Sequence, residues 1–319
     1  YEEREETRGV LGVESEIANN TVAYGEYRLD GGSGGARNQK IIGLRNAFML
    51  GHNITGNVAI EHLNTISGER RQSEPDAFAI STGLEYLPWD DLKFTTRLEY
   101  RNESSVQTRD TYLGEFGAGY RLSPQYSLLF KERLFLDDIR EDGQHLTNRT
   151  ILGLAYRPVV CDGLNVIGKL EYKRDDDTLS EPRFRTDAFI PSVEGIFQAN
   201  KRLQFIGKYA GKWVFDDSFD AYTDLVSGRI LYDINDRFDV GVEYRLLTSY
   251  AADNYYHGGS AEIGYRLIKN LWLSLGYSFD DFDADLSGDS YRGYGPYLKL
   301  RFKFDENILH GLKGKDTSQ

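Results

Sequence analysis

From Leu271 to Phe279 the chain alternates with a period of two. Leu271, Leu273, Leu275, Tyr277 and Phe279 are large and apolar, while Ser274, Gly276 and Ser278 between them are small, with Trp272 the large exception. A helix would group its apolar residues three and four apart, whereas a spacing of two puts all of them on one face of an extended strand. Tyr265-Arg266 closes the strand before it, and Lys269-Asn270 forms the polar corner between the two. A chain made of such segments has to build a sheet with two unlike faces.

The pattern recurs with charge on the second face. Phe94, Thr96, Leu98 and Tyr100 interleave with Lys93, Thr95, Arg97, Glu99 and Arg101; Phe238, Val240, Val242, Tyr244 and Leu246 interleave with Asp239, Gly241, Glu243 and Arg245. Composition points the same way: 22 Tyr and 33 Gly beside 7 Pro and 1 Met suit many strands and few helices. No run approaches the roughly 18 to 20 apolar residues of a membrane helix. The N-terminus, Tyr1 to Glu6, has neither a basic nor an apolar leader region and no initiator Met, so the chain reads as a mature product or an excised piece. One cysteine, Cys161, excludes an internal disulfide, and a net charge of -12 argues against a nucleic-acid partner.

Short polar corners fall near Asn19-Asn20, Gly51-His52-Asn53, Trp89-Asp90-Asp91, Ser123-Pro124-Gln125, Cys161-Asp162-Gly163, Asn200-Lys201, Asn235-Asp236 and Lys269-Asn270. They alternate with longer polar stretches near Asp30–Asn38, Ser67–Pro75, Asn102–Asp110, Asp137–His145, Lys173–Arg185, Asp216–Tyr222, Tyr250–His257 and Asp280–Tyr291. Tight turns join antiparallel neighbours. Aromatic residues recur beside the short corners, at Phe48, Tyr86, Tyr120, Tyr156, Phe197, Tyr232 and Tyr265, with Trp272 opening the next strand. Together they predict an aromatic girdle at one membrane interface. About seventeen strands of roughly nine to fourteen residues fit between Thr7 and Phe304, long enough to cross a bilayer with tilt. An even number is usual in bacterial barrels, so the count leaves one strand over and raises the expectation of sequence upstream of Tyr1.

Alternation alone fits a soluble sandwich with a shared apolar core as well as a barrel with its apolar faces in lipid. The loop asymmetry and the aromatic placement favour the barrel. The last segment, Tyr297 to Phe304, reads apolar outside and basic inside. It resembles the aromatic-ended closing strand of Gram-negative outer-membrane proteins, although here a polar tail, Asp305 to Gln319, follows. The chain as a whole is similar by pattern to the porin-like superfamily of bacterial outer-membrane β-barrels, with no family-specific motif. The resemblance implies an all-β, antiparallel up-and-down transmembrane barrel of about 16–18 strands over residues 1–304, with short periplasmic turns and longer extracellular loops. It also implies residence in the bacterial outer membrane, contact with lipid and lipopolysaccharide, and room for a periplasmic or lumenal protein partner.

Candidates for chemistry are few. His52, His62, His145, His257 and His310 show no metal-ligand spacing, so no metal or other cofactor is expected. Of the carboxylate pairs, Asp90-Asp91 lies on a tight turn and Asp280-Asp281 has no histidine beside it in sequence, so no enzyme is expected. The acidic stretch from Asp280 to Asp289 departs from the helix-loop-helix calcium pattern. The inward row is the stronger constellation: Lys93, Arg97, Glu99, Arg101, Lys169, Glu171, Lys173, Glu243, Arg245, Lys299, Arg301 and Lys303 predict a polar lumen. The expected function is a channel, either a porin-like passage for small solutes or a translocation pore. The alternative is the C-terminal anchor or sheath barrel of a larger surface protein or complex, its lumen filled by a partner or an upstream segment.

Overall fold

A computed structural model describes residues 6–32, 37–67, 76–104, 107–161, 163–180, 183–216, 220–268, 271–279, 286 and 294–302. The chain is all-β. Its strands are β1 (Glu6–Ala18), β2 (Thr21–Gly32), β3 (Arg37–Gly51), β4 (Ile54–Ser67), β5 (Asp76–Trp89), β6 (Leu92–Ser104), β7 (Thr108–Arg121), β8 (Tyr126–Ile139) and β9 (Gly143–Tyr156). They continue as β10 (Leu164–Asp177), β11 (Phe184–Gln198), β12 (Leu203–Asp216), β13 (Asp220–Asp233), β14 (Phe238–Ser249), β15 (Asn254–Ile268), β16 (Leu271–Ser278) and β17 (Gly295–Phe302). These 17 strands form one sheet in which each strand hydrogen-bonds to the next along the chain. Among the described residues the number of strands matches the alternation. Lys303 to Gln319, and with them the polar tail, lie outside the described residues.

The chain divides into two compact units. The first runs to Leu154 and takes in Leu170–Phe189 and Phe215–Phe219; the second holds Ala155–Lys169, Ile190–Val214 and the chain from Asp220 on. In the first, β1 to β8 pair antiparallel in sequence order, with Tyr86 opposite Phe94 and Arg97 opposite Glu115. In the second, β13 to β17 do the same.

Burial decides between sandwich and barrel. Among the described residues the buried apolar side chains are only Ile41, Ala77, Ala188, Ile190, Ala210, Leu225 and Leu286. The large apolar residues lie outside at every second position, as Phe78, Ile80, Leu84 and Tyr86 on β5 and Val242 and Tyr244 on β14 do. A sandwich would hide these faces against each other. Here they need an apolar solvent, which a bilayer supplies.

The loop asymmetry is weaker than the sequence suggests. β6 runs on to Ser104 and β7 starts at Thr108; β8 ends at Ile139 and β9 starts at Gly143; β12 ends at Asp216 and β13 starts at Asp220. In these three predicted long connections only three residues separate the strand ends. Conversely, the connection from Arg157 to Gly163, expected to be short, spans seven residues between β9 and β10. Polar side chains that read as loop belong to strands because they bond across the ladder. The Asn102 amide donates to Asp110 at 2.7 Å, and the Arg109 Nε donates to Asp137 at 2.6 Å. The corner at Lys269-Asn270 and the stretch 280–285 lie outside the described residues.

Candidate functional site

The pleat assigns each side chain to a face. On β6, Lys93, Arg97, Glu99 and Arg101 share the face opposite Phe94, Leu98 and Tyr100, and carboxylates on that face, one on β5 and two on β6 itself, neutralise the cations. Lys93 Nζ lies 2.7 Å from Glu85, Arg97 Nη2 lies 2.6 Å from Glu99, and Arg101 Nη2 lies 2.8 Å from Glu103. Glu171 of β10 is buried and pairs with Arg149 Nε of β9 at 2.5 Å; Lys169 shares its face. Glu243 receives Arg245 Nε at 2.6 Å, both on the polar face of β14. Lys299 stands opposite Ser274, and Arg301 stands opposite Trp272. Within β6, β10 and β14 the residues of the predicted row fall at every second position, and Lys303 lies outside the described residues.

In the second unit this face carries a denser network that the sequence reading missed. Arg229 Nη2 donates to Glu262, and its Nη1 lies 3.8 Å from Glu243. The Tyr297 hydroxyl donates to the other oxygen of Glu262 at 3.2 Å. Register explains the meeting, since Glu262 faces Gly276 and Gly276 faces Tyr297. The phenol ring lies across the glycine and reaches the strand beyond; a methyl group on Gly276 would fall inside that ring.

The same row occurs in the first unit. Tyr24 faces Gly43, Gly43 faces Glu61, and the Tyr24 hydroxyl donates to Glu61. Arg45 sits over the Tyr24 ring at 5.8 Å and binds Glu14 at 2.7 Å. Glu14, Glu26, Glu61 and Arg45 line a depression of about 400 Å³. The signal in sequence was phase: Tyr24 and Tyr297 fall on the small or charged positions of their strands, out of step with the other aromatics.

Phe48, Tyr86, Tyr120, Tyr156 and Tyr265 lie on the apolar face. Neighbours absent from the sequence reading extend the row. Tyr86, Phe94, Phe116 and Phe130 follow one another across β5 to β8 with ring centroids about 6 Å apart, and Phe238 meets Tyr265 at 4.8 Å. Trp272 is a correction. It stands opposite Arg266 and Arg301, on the face of Ser274 and Gly276, because a residue one step out of phase with Leu271 and Leu273 must point the other way. In a Trp89→Phe/Trp213→Phe variant, whose remaining tryptophan is Trp272, brominated acyl chains are expected to leave the fluorescence unquenched. Strong quenching would return Trp272 to the lipid face.

Among the described residues one histidine, His145, pairs with a carboxylate. His145 Nε2 lies 2.6 Å from Asp175, and Thr147 Oγ1 lies 3.4 Å from that same nitrogen. A nucleophile–base–orienter relay uses both ring nitrogens. Among the described residues no three His, Cys, Asp or Glu side chains converge as metal ligands would.

No protein-family model matches the sequence, and no curated protein does. Solved structures do. The open form of Fiu, a ferric-catecholate import receptor from E. coli K12, aligns with a TM-score of 0.57 at 12% identity, over 93% of this chain and 62% of that one. PirA, a siderophore receptor from Pseudomonas aeruginosa, aligns with a TM-score of 0.58 at 9% identity, over 94% of this chain and 64% of that one. The copper transporter OprC gives 0.54 at 12% identity, over 94% and 72%. This chain therefore spans less than two thirds of Fiu and of PirA. At such identities the likeness is one of fold, and the fold is that of the bacterial outer-membrane β-barrels. The exposed apolar faces are what that membrane requires.

Proposed function

We propose that the barrel forms a polar-lined passage through which small solutes cross the outer membrane. The carrying observation is the two-faced wall. Apolar side chains stand exposed on one side, and on the other charged side chains of both signs continue from strand to strand, an arrangement that a wet interior requires. Barrels of about 16 to 18 strands are wide enough to leave an aqueous path. Fiu is an import receptor and OprC a copper transporter, roles that agree in kind with passage of small solutes. Non-enzymatic action is part of this reading.

Purified, folded protein in planar bilayers is expected to give steady single-channel conductance on the order of a nanosiemens, the scale of a water-filled barrel of this width. A folded protein that stays silent would overturn the passage and favour a barrel wrapped around a partner.

A further inference from the structure

We infer that the polar face of β5 to β9 is an anion lane, selecting solutes that carry phosphate or carboxylate groups; the transport part of this inference rests on the passage proposed above. The chain is acidic overall, so its net charge of -12 points to the opposite selectivity. What a solute meets is decided by which member of each ion pair stands outermost.

In this part of the wall the cation does so in every described pair. The Arg109 side chain is 46% exposed and Asp137 beneath it 3%; Arg149 is 45% exposed and Glu171 3%; Arg133 is 49% exposed and Glu115 24%. Arg97 over Glu99, Arg101 over Glu103 and Lys131 over Glu115 keep the same order, and Lys93 over Glu85 keeps it narrowly. The cause is side-chain length. A carboxylate sits close to the backbone, where neighbouring pleats shelter it, while the long stem of Arg or Lys lifts its head into water. Carboxylates so placed spend their lone pairs on the wall. A guanidinium carries five donors, and one or two contacts to a carboxylate leave the rest of its fork directed outward.

Register strings these cations into a lane. Arg97, Glu115 and Arg133 share one row across β6, β7 and β8; Lys131 lies two residues from Arg133, toward the Tyr126 end of β8; Arg101 faces Thr111; and Lys93 faces Gly119. Ten residues of β7 separate Arg109 from Gly119, about 33 Å of strand at roughly 3.3 Å per residue. Cations at steps of two to four residues along that length give a bound anion its next partner before it leaves the last. Arg45 over Glu14 departs from the order, with the carboxylate the more exposed, and it lies on β1 and β3, away from the lane.

The test is the reversal potential across a potassium chloride gradient in planar bilayers. Wild-type protein is expected to prefer chloride. Arg97→Gln/Lys131→Gln/Arg133→Gln should lose that preference, and Glu115→Gln, which bares two of the cations, should increase it. A conducting wild-type channel that prefers potassium, or a triple variant with unchanged selectivity, overturns the lane while leaving the passage standing. If the folded protein is silent, the passage fails and calorimetry with inorganic pyrophosphate decides the lane alone. The triple variant should then bind about tenfold more weakly than wild type, the product of three roughly twofold losses at exposed charges. Equal binding by the two proteins overturns the lane.

Discussion

Arg229→Ala is expected to lower the stability of the folded barrel by about 3–5 kcal/mol, the cost of removing one partner from buried ion pairs. The guanidinium holds two carboxylates at once. The Glu262 side chain is 3% exposed and that of Glu243 10%, so both carboxylates lean on the cation for their charge partner. Arg245 still serves Glu243, and the Tyr297 hydroxyl still serves Glu262, but one phenol does not replace a charge. The measurement is the midpoint of heat-induced unfolding, read as the mobility shift between folded and unfolded barrel on gels. Adding Glu262→Gln should restore a large part of the loss, because the orphaned charge goes with it. A single variant that melts with wild type would show that water already reaches Glu262.

Gly276→Leu should be nearly as damaging, for a steric reason. The Tyr297 ring occupies the space that any side chain at 276 needs, and it is tied there by its bond to Glu262. Forcing bulk into a filled site costs about 1–3 kcal/mol. The signature is the coupling: Tyr297→Ala, which alone removes a contact, should partly rescue Gly276→Leu in the same chain. The pair Gly43 and Tyr24 offers the parallel experiment in the first unit. Additive losses in both pairs would mean that the rings do not lie on the glycines.

Much of this was legible in the sequence, and the misses share a cause. The faces of β6, β14 and β16 follow from alternation, and so does the placement of Lys93, Arg97, Glu99, Arg101, Glu243 and Arg245 on one side. The girdle reading failed at Trp272, where proximity to a turn was allowed to outweigh the phase of the strand. The loop reading failed from Asn102 to Asp110 and from Asp137 to His145, where polarity was taken for loop although the residues pair across strands. Beyond the hydrocarbon layer a strand has no reason to alternate in hydropathy, so its ends leave no trace in that signal.

The sequence by itself determined the class of fold and, among the described residues, the number of strands and the alternation of faces along them. These depend on a two-residue period, a property of neighbours along the chain. Tertiary structure decided which residues meet across strands: Tyr297 reaching over Gly276 to Glu262, Arg229 gripping two carboxylates, Arg109 standing above a buried Asp137. Those partners lie tens of residues apart, and only the register between strands brings them together. Side-chain length, not the net charge of the chain, sets the cations of β5 to β9 outermost, and register strings them along the wall.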